Sequence, residues 1–189
     1  YIMFCDQDDV WLPNKIELSF QKIKKMEEAY GKDTPLLVFT DLFVVDEKLK
    51  VLNNSFWNYQ KLIPSVAKYW KKLLAQSIIT GCTIIMNKSA KDVCLPFVLD
   101  EMIHDQWIGA NVSKYGKVDF IDEQTILYRQ HGKNVEGAHL FGISYILKKL
   151  LAFKNILKYQ IRASRHFKDV SFLTLVFYKI KINLERFLK

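Results

Sequence analysis

Apolar and polar positions follow two patterns along this chain. Short apolar runs ending in polar clusters read as buried strands, and stretches with apolar residues three and four apart read as helices. Tyr1-Ile2-Met3-Phe4-Cys5 is the first run, and it ends at Asp6-Gln7-Asp8-Asp9. Pro13 suits the first turn of a helix with apolar positions at Ile16, Phe20, Ile23 and Met26 to Ala29, and with Gly31 as its stop. Leu36 to Thr40 predicts a second buried strand ending at Asp41, and Asp46 to Pro64 predicts a long loop. A helix is expected from Ser65, as its cap, to Gln76. Ile78 to Met86 predicts a strand whose internal Gly81 marks a bulge or a ligand's close approach. Asn87 can cap a short helix through Val93, Pro96 breaks the chain, and His104 opens a helix that stops at Gly116. Lys117 to Tyr128 alternates as one strand or a hairpin.

This alternation of strands and helices predicts an α/β fold. A strand as apolar as the first needs cover on both faces, which preceding βα units usually supply, so the chain reads as the C-terminal portion of a longer protein. From Gly142 onward the pattern changes. Residues 139–189 hold 11 Lys+Arg against only Asp169 and Glu185, whereas residues 1–138 are close to neutral. The listing of apolar residues among lysines, at Ile146 to Leu157 and again at Phe172 to Leu188, predicts basic amphipathic helices. Neither segment is long and uncharged enough to span a bilayer. They suit an anionic membrane surface, or a helical pair packed on the domain or on another subunit. The three cysteines, Cys5, Cys82 and Cys94, are spaced unlike metal ligands, and buried reduced thiols are expected of them.

Chemistry enters at the strand ends. Ligands of open α/β sheets sit at the carboxyl ends of strands, where Asp6, Asp8 and Asp9 fall. Three crowded carboxylates repel one another unless a cation or donor groups neutralise them, and hard oxygen ligands suit Mg²⁺ or Mn²⁺. A solvated, capping turn is the alternative. His131 follows a strand beside Gly132, among Arg129, Lys133 and Asn134, as an anion site requires; an added imidazole tilts the metal toward Mn²⁺. Asp105, between His104 and Trp107, is either a helix cap or a carboxylate desolvated enough to act as a general base.

The order Asp6-Gln7-Asp8-Asp9-Val10-Trp11, Thr80-Gly81-Cys82-Thr83, His104-Asp105-Gln106-Trp107 and Tyr128-Arg129-Gln130-His131-Gly132-Lys133-Asn134 resembles family 2 glycosyltransferases, and more closely their bacterial rhamnosyltransferase-like branch. The resemblance covers roughly Tyr1 to Gly137. It implies residues 1–138 as the C-terminal portion of a GT-A (Rossmann-like) nucleotide-sugar transferase domain, lacking the N-terminal nucleotide-binding half, with residues 139–189 as a basic helical tail. By this resemblance Asp6 and Asp8 are the DxD pair, Asp8 the main metal ligand, Asp6 a ribose or metal ligand, and Asp9 a further carboxylate at the donor. His131 closes over the diphosphate and ligates the metal, with Arg129 and Lys133 on the same anion. Thr80, Gly81 and Cys82 lie beneath the donor sugar, Asp105 is the catalytic base, and His104, Trp107 and Trp11 line the acceptor.

The implied activity is inverting, metal-dependent transfer of a sugar, with rhamnose one candidate, from a nucleotide-diphosphate sugar to a glycan or lipid-linked acceptor. The implied location is the cytoplasmic face of a membrane, with oligomerisation through the tail helices a further option and no nucleic-acid partner. Two other readings stay open at this stage. One is a Mg²⁺-dependent phosphoryl-transfer enzyme, and the other is an inactive sugar-binding or membrane-docking fragment.

Overall fold

The structure, a computed structural model, describes residues 1–97, 102–131, 142 and 153–188. It is a mixed α/β fold with a curled mixed sheet. Two long strands, β3 (Leu36–Val45) and β6 (Lys117–Arg129), run parallel at its centre, with Leu36 opposite Lys117 and Val45 opposite Arg129. Short strands complete it. β5 (Ile85–Met86) pairs antiparallel with β3, and β1 (Ile2–Met3) pairs antiparallel with β5 at the edge. β2 (Val10–Trp11) pairs antiparallel with β6 at the other side, and β4 (Val51–Asn53) adds to the far end of β3.

Period-two alternation in β3 explains the layers. Leu36 and Val38 face one side with Ile23, Met26 and Ile85, under helix α1 (Lys15–Tyr30). Leu37 and Phe39 face the other, in the main core. That core also takes in α3 (Trp70–Ala75), α4 (Lys88–Cys94) and α5 (His104–Tyr115). Ala163, Phe167, Leu175 and Ile182 belong to it as well, so helices α6 (Phe153–His166) and α7 (Phe172–Leu188) pack on the same body. The sequence pattern marks Phe172 to Leu188 as one such segment; most of Ile146 to Leu157 lies outside the described residues.

Several local expectations are met. Gly31 ends α1 at φ 87°, a conformation that favours glycine, with its N–H on Glu27 O. Asn87 caps α4 by accepting from Ala90 N at 2.9 Å. Gly116 ends α5 where the chain closes on β3: a Cβ there would lie 1.9 Å from Pro35 O, so only glycine fits.

Other expectations need correction. The first apolar run is an edge strand of only two residues, half-exposed, and Cys5 beyond it is exposed rather than buried. Ile16 and Phe20 are exposed on α1; the buried line runs through Lys15, Ser19, Ile23 and Met26. Leu36 to Thr40 does not end at Asp41, because β3 continues to Val45. Asp46 to Pro64 is not a structureless loop, since it forms β4 and helix α2 (Phe56–Tyr59). Asp41 is the cause. Its buried carboxylate accepts from Leu42 N, Ser55 Oγ, Trp57 N and Gln124 Nε2, tying that segment to the sheet.

Ser65 is no cap. Pro64 starts a 3-10 turn at Pro64–Lys68, and extended Tyr69 separates it from α3. The strand expected over Ile78 to Met86 forms only at Ile85–Met86. The N–H and hydroxyl of Thr83 both turn back onto Thr80 O and close a 3-10 turn at Gly81–Thr83.

Candidate active site

The acidic residues occupy a tight turn between β1 and β2. Asp9 N–H reaches back to Asp6 O at 3.4 Å, which closes the turn. Antiparallel pairing of Val10 with Leu127 and Trp11 with Ile126 then sets Asp9 beside the end of β6. Asp9 Oδ1 accepts from Arg129 N at 3.0 Å, and Arg129 Nε donates to Asp8 O at 2.8 Å. The same guanidinium donates through a second nitrogen to Glu47 O at 2.9 Å. His131 Nε2 lies 2.8 Å from Asp8 Oδ2. Strand pairing thus joins the first and last of the sequence clusters directly.

A third cluster enters from the core side. Asp6, Asp9 and Cys82 each place a ligand atom within 4.8 Å of the others. The turn that carries Cys82 also carries Gly81, where a Cβ would stand 2.7 Å from His104 Nε2. The close approach expected at Gly81 is therefore made by an imidazole of the fourth cluster. His104 is exposed, and its ring also faces Phe4, with centroids 6.1 Å apart. Asp105 follows in the first turn of α5, half-buried, and its Oδ1 accepts from Gln106 N at 2.6 Å.

Burial and crowding tune the acidic turn. Loss of water pushes the Asp9 carboxyl up to about 6, and the charges of Asp6 and Asp8 add to the rise. Arg129 N–H and the Cys82 thiol pull it back in part. Even so, Asp9 Oδ2 is buried with no hydrogen-bond partner. Burial also raises the Cys82 thiol far above its ordinary value, with the Asp9 and Asp6 charges adding to it. That thiol stays protonated and is a poor ligand. The useful donor set is carboxylate oxygen, which fits Mg²⁺ or Mn²⁺ better than a thiolate metal, and a cation would relieve both the crowding and the orphaned Asp9 oxygen.

The remaining expected residues fall in three places. Thr80 is half-buried beside the Gly81 turn, and Trp11 is half-buried in β2. Trp107 is in the core: its indole N–H donates to Cys94 O at 2.7 Å, and its ring packs on His166 and Phe167. The described structure shows it packed in the core, with 5 % of its surface exposed. Lys133, with Gly132 and Asn134, lies outside the described residues.

Lys15 was missed. It is fully buried beneath the site, with Nζ 4.9 Å from the Trp11 ring centroid and no hydrogen-bond partner. The apolar spacing gave no signal of it, since Ile16 and Phe20 mark the neighbouring face of α1. Loss of water lowers its ammonium to about 8 from the ordinary 10.5. Both folded and unfolded chains are protonated below the lower value, so the burial penalty is complete there and fades as pH rises through 8 toward 10.5. Lys15→Met is expected to stabilise the protein at pH 7 by about 1–3 kcal/mol, and by much less at pH near 10. Thermal melts at the two pH values check this; a destabilised variant at pH 7 would mean that the amine is satisfied.

Compared with family models and with curated proteins, the chain matches none.

Proposed function

We propose that this chain carries the diphosphate-side and acceptor-side residues of an inverting sugar transferase that uses a nucleotide-diphosphate sugar. The observation that carries the reading is convergence. Segments around residues 6–9, 80–82, 104–105 and 129–131, far apart in sequence, meet through the Asp8–His131, Asp9–Arg129, Cys82–Asp6 and Gly81–His104 contacts. These are the segments whose motifs resemble family 2 glycosyltransferases of the GT-A fold. An acidic capping turn alone would not account for four such segments meeting.

In this reading the Asp105 carboxylate takes the proton of an acceptor hydroxyl. The acceptor oxygen bonds to the anomeric carbon from the face opposite the diphosphate. The anomeric C–O bond breaks, and its electron pair leaves on the diphosphate, so the configuration inverts. The carboxylates of Asp6, Asp8 and Asp9 would hold Mg²⁺ or Mn²⁺, which would supply positive charge to offset that on the leaving diphosphate. His131 and Arg129 hold Asp8 and Asp9 in place, and His104 flanks the base from the exposed side. Rhamnose, carried on a nucleoside diphosphate, is one candidate for the transferred sugar, and a glycan or lipid-linked hydroxyl is the acceptor.

The test is product analysis. The full-length protein is incubated with a panel of nucleotide sugars, with Mn²⁺ and with chelator, and the released nucleotide is identified. Metal-dependent release of a nucleoside diphosphate supports sugar transfer and identifies the donor. Release of a nucleoside monophosphate means cleavage between the phosphates, and the site is then a phosphoryl-transfer centre.

A further inference from the structure

The outer side of the α6–α7 pair has two unlike faces. On α7, Leu173, Phe177, Ile180, Leu184 and Phe187 recur four and three residues apart, which places them in one stripe. Their exposures are 74, 60, 56, 60 and 60 %. Contiguous exposed apolar surface of this kind marks an interaction site. On α6, Lys154, Lys158, Arg162 and Arg165 recur at similar spacing and are exposed. None of these four forms an ion pair among the described residues.

The inner faces are fully engaged. Gln160 Nε2 donates to Ala75 O at 3.0 Å, and Phe167 packs on Trp70 and Trp107. On α7, Leu175 and Ile182 are buried, Lys179 Nζ donates to Gln76 Oε1 at 2.7 Å, and Arg186 donates to Gln60 O at 2.6 Å. The two helices touch, and the link from Phe167 to Ser171 is short, so they lie side by side against the domain. Their outer faces therefore form one surface, apolar along α7 and basic along α6. No described helix is long and apolar enough to cross a membrane.

We propose that this surface docks on an anionic lipid bilayer, with the α7 stripe among the acyl chains and the α6 row against the headgroups. Charge selects this occupant. A second copy of the chain would bring two strongly basic tails together, at a repulsive cost. A bilayer carrying anionic lipid accepts both faces at once. The proposal stands independently of the catalytic reading, but it has a consequence for it. The ring of Trp107, on the same helix α5 as Asp105, packs on His166 of α6 with centroids 4.5 Å apart, so the docking helix pair lies against the helix that carries that carboxylate. A lipid-linked acceptor would then reach the site from the surface to which the protein is bound.

The test is flotation of the full-length protein with phosphatidylcholine vesicles, with and without phosphatidylglycerol. Wild type should float with the anionic vesicles and far less with the neutral ones. The charge reversal Lys158→Glu/Arg162→Glu should cut partitioning more than about tenfold, since each basic residue near the surface contributes about fivefold. Phe177→Ser/Leu184→Ser should cut it similarly. All four side chains point outward, so far-UV circular dichroism and the melting temperature should hardly change. Failure of wild type to float, or flotation unaffected by both double variants, overturns the proposal. So does a wild-type dimer in sedimentation that Phe177→Ser/Leu184→Ser dissolves in a protein that does not float, which would assign the stripe to a second copy.

Discussion

Asp8→Ala is expected to abolish the metal dependence of nucleoside-diphosphate binding and to lower turnover by about a thousandfold, the upper range for removing one group that stabilises charge in a transition state. Asp8 is the acidic residue that faces His131, at 2.8 Å, and its own backbone carbonyl holds the Arg129 side chain. Removing the carboxylate takes away the proposed cation ligand and the hydrogen-bond partner of the imidazole. It leaves the Arg129–Asp8 backbone contact intact. The Asp8 side chain is about a third exposed, so the fold should tolerate the change. Titration calorimetry with a nucleoside diphosphate, with Mn²⁺ and with chelator, reads the effect directly. Asp8→Asn separates the two roles, because an amide still bonds the imidazole but is a weak cation ligand. Both variants should lose the metal-dependent part of the affinity. If Asp8→Asn keeps it while Asp8→Ala loses it, Asp8 positions His131 and ligates nothing.

The local features of this fold were legible because their causes are local. Gly31 and Asn87 end or cap helices through contacts within a few residues. The long parallel strand β6 alternates clearly enough to be read from Lys117 onward. Part of what was not legible depends on distant partners. Nothing near Asp46 to Pro64 announces β4 and α2, since their anchor is Asp41, buried in a strand and bonded to Ser55, Trp57 and Gln124. A carboxylate there looks like the end of a strand until those three donors are known. The 3-10 turn at Gly81–Thr83 is hidden for a local reason, because an apolar run of β-branched residues resembles a strand whether or not Thr83 folds back.

The polar residues of the candidate site were legible as separate clusters. Acidic, imidazole and guanidinium groups announce themselves at strand ends, and the geometry joins them as neighbours. It also redistributes them: His131 goes to Asp8, while Asp6 and Asp9 share the Cys82 side. Trp107 shows the limit of reading by proximity. It is two residues from Asp105, yet a helix turns those positions about 200° apart, and Trp107 faces the core while Asp105 faces outward enough to be half-buried. Lys15 shows the converse. Apolar spacing puts Ile16 and Phe20 on the inner face of α1, whereas the structure buries Lys15 and Ser19, one position earlier, instead.

Asp105→Asn is expected to lower the rate of sugar transfer by about a thousandfold or more while donor binding stays within about twofold, the pattern of a group needed only in the transition state. The substitution is nearly isosteric. The amide oxygen can still accept from Gln106 N, the 2.6 Å contact that seats the side chain in the first turn of α5, so structure should be preserved. What the amide cannot do is take a proton. Stability therefore reports on the competing reading: if Asp105 serves chiefly as a helix-end group, Asp105→Asn should leave transfer intact and Asp105→Ala should lower the melting temperature. Single-turnover transfer to the acceptor, with nucleotide-sugar affinity measured in parallel, separates these outcomes. A variant that loses donor affinity in step with turnover would place Asp105 at the donor instead. Retained transfer would remove the base from the proposed mechanism, leaving the convergence of the acidic turn with His131 and Arg129 as an anion-binding site without an assigned reaction.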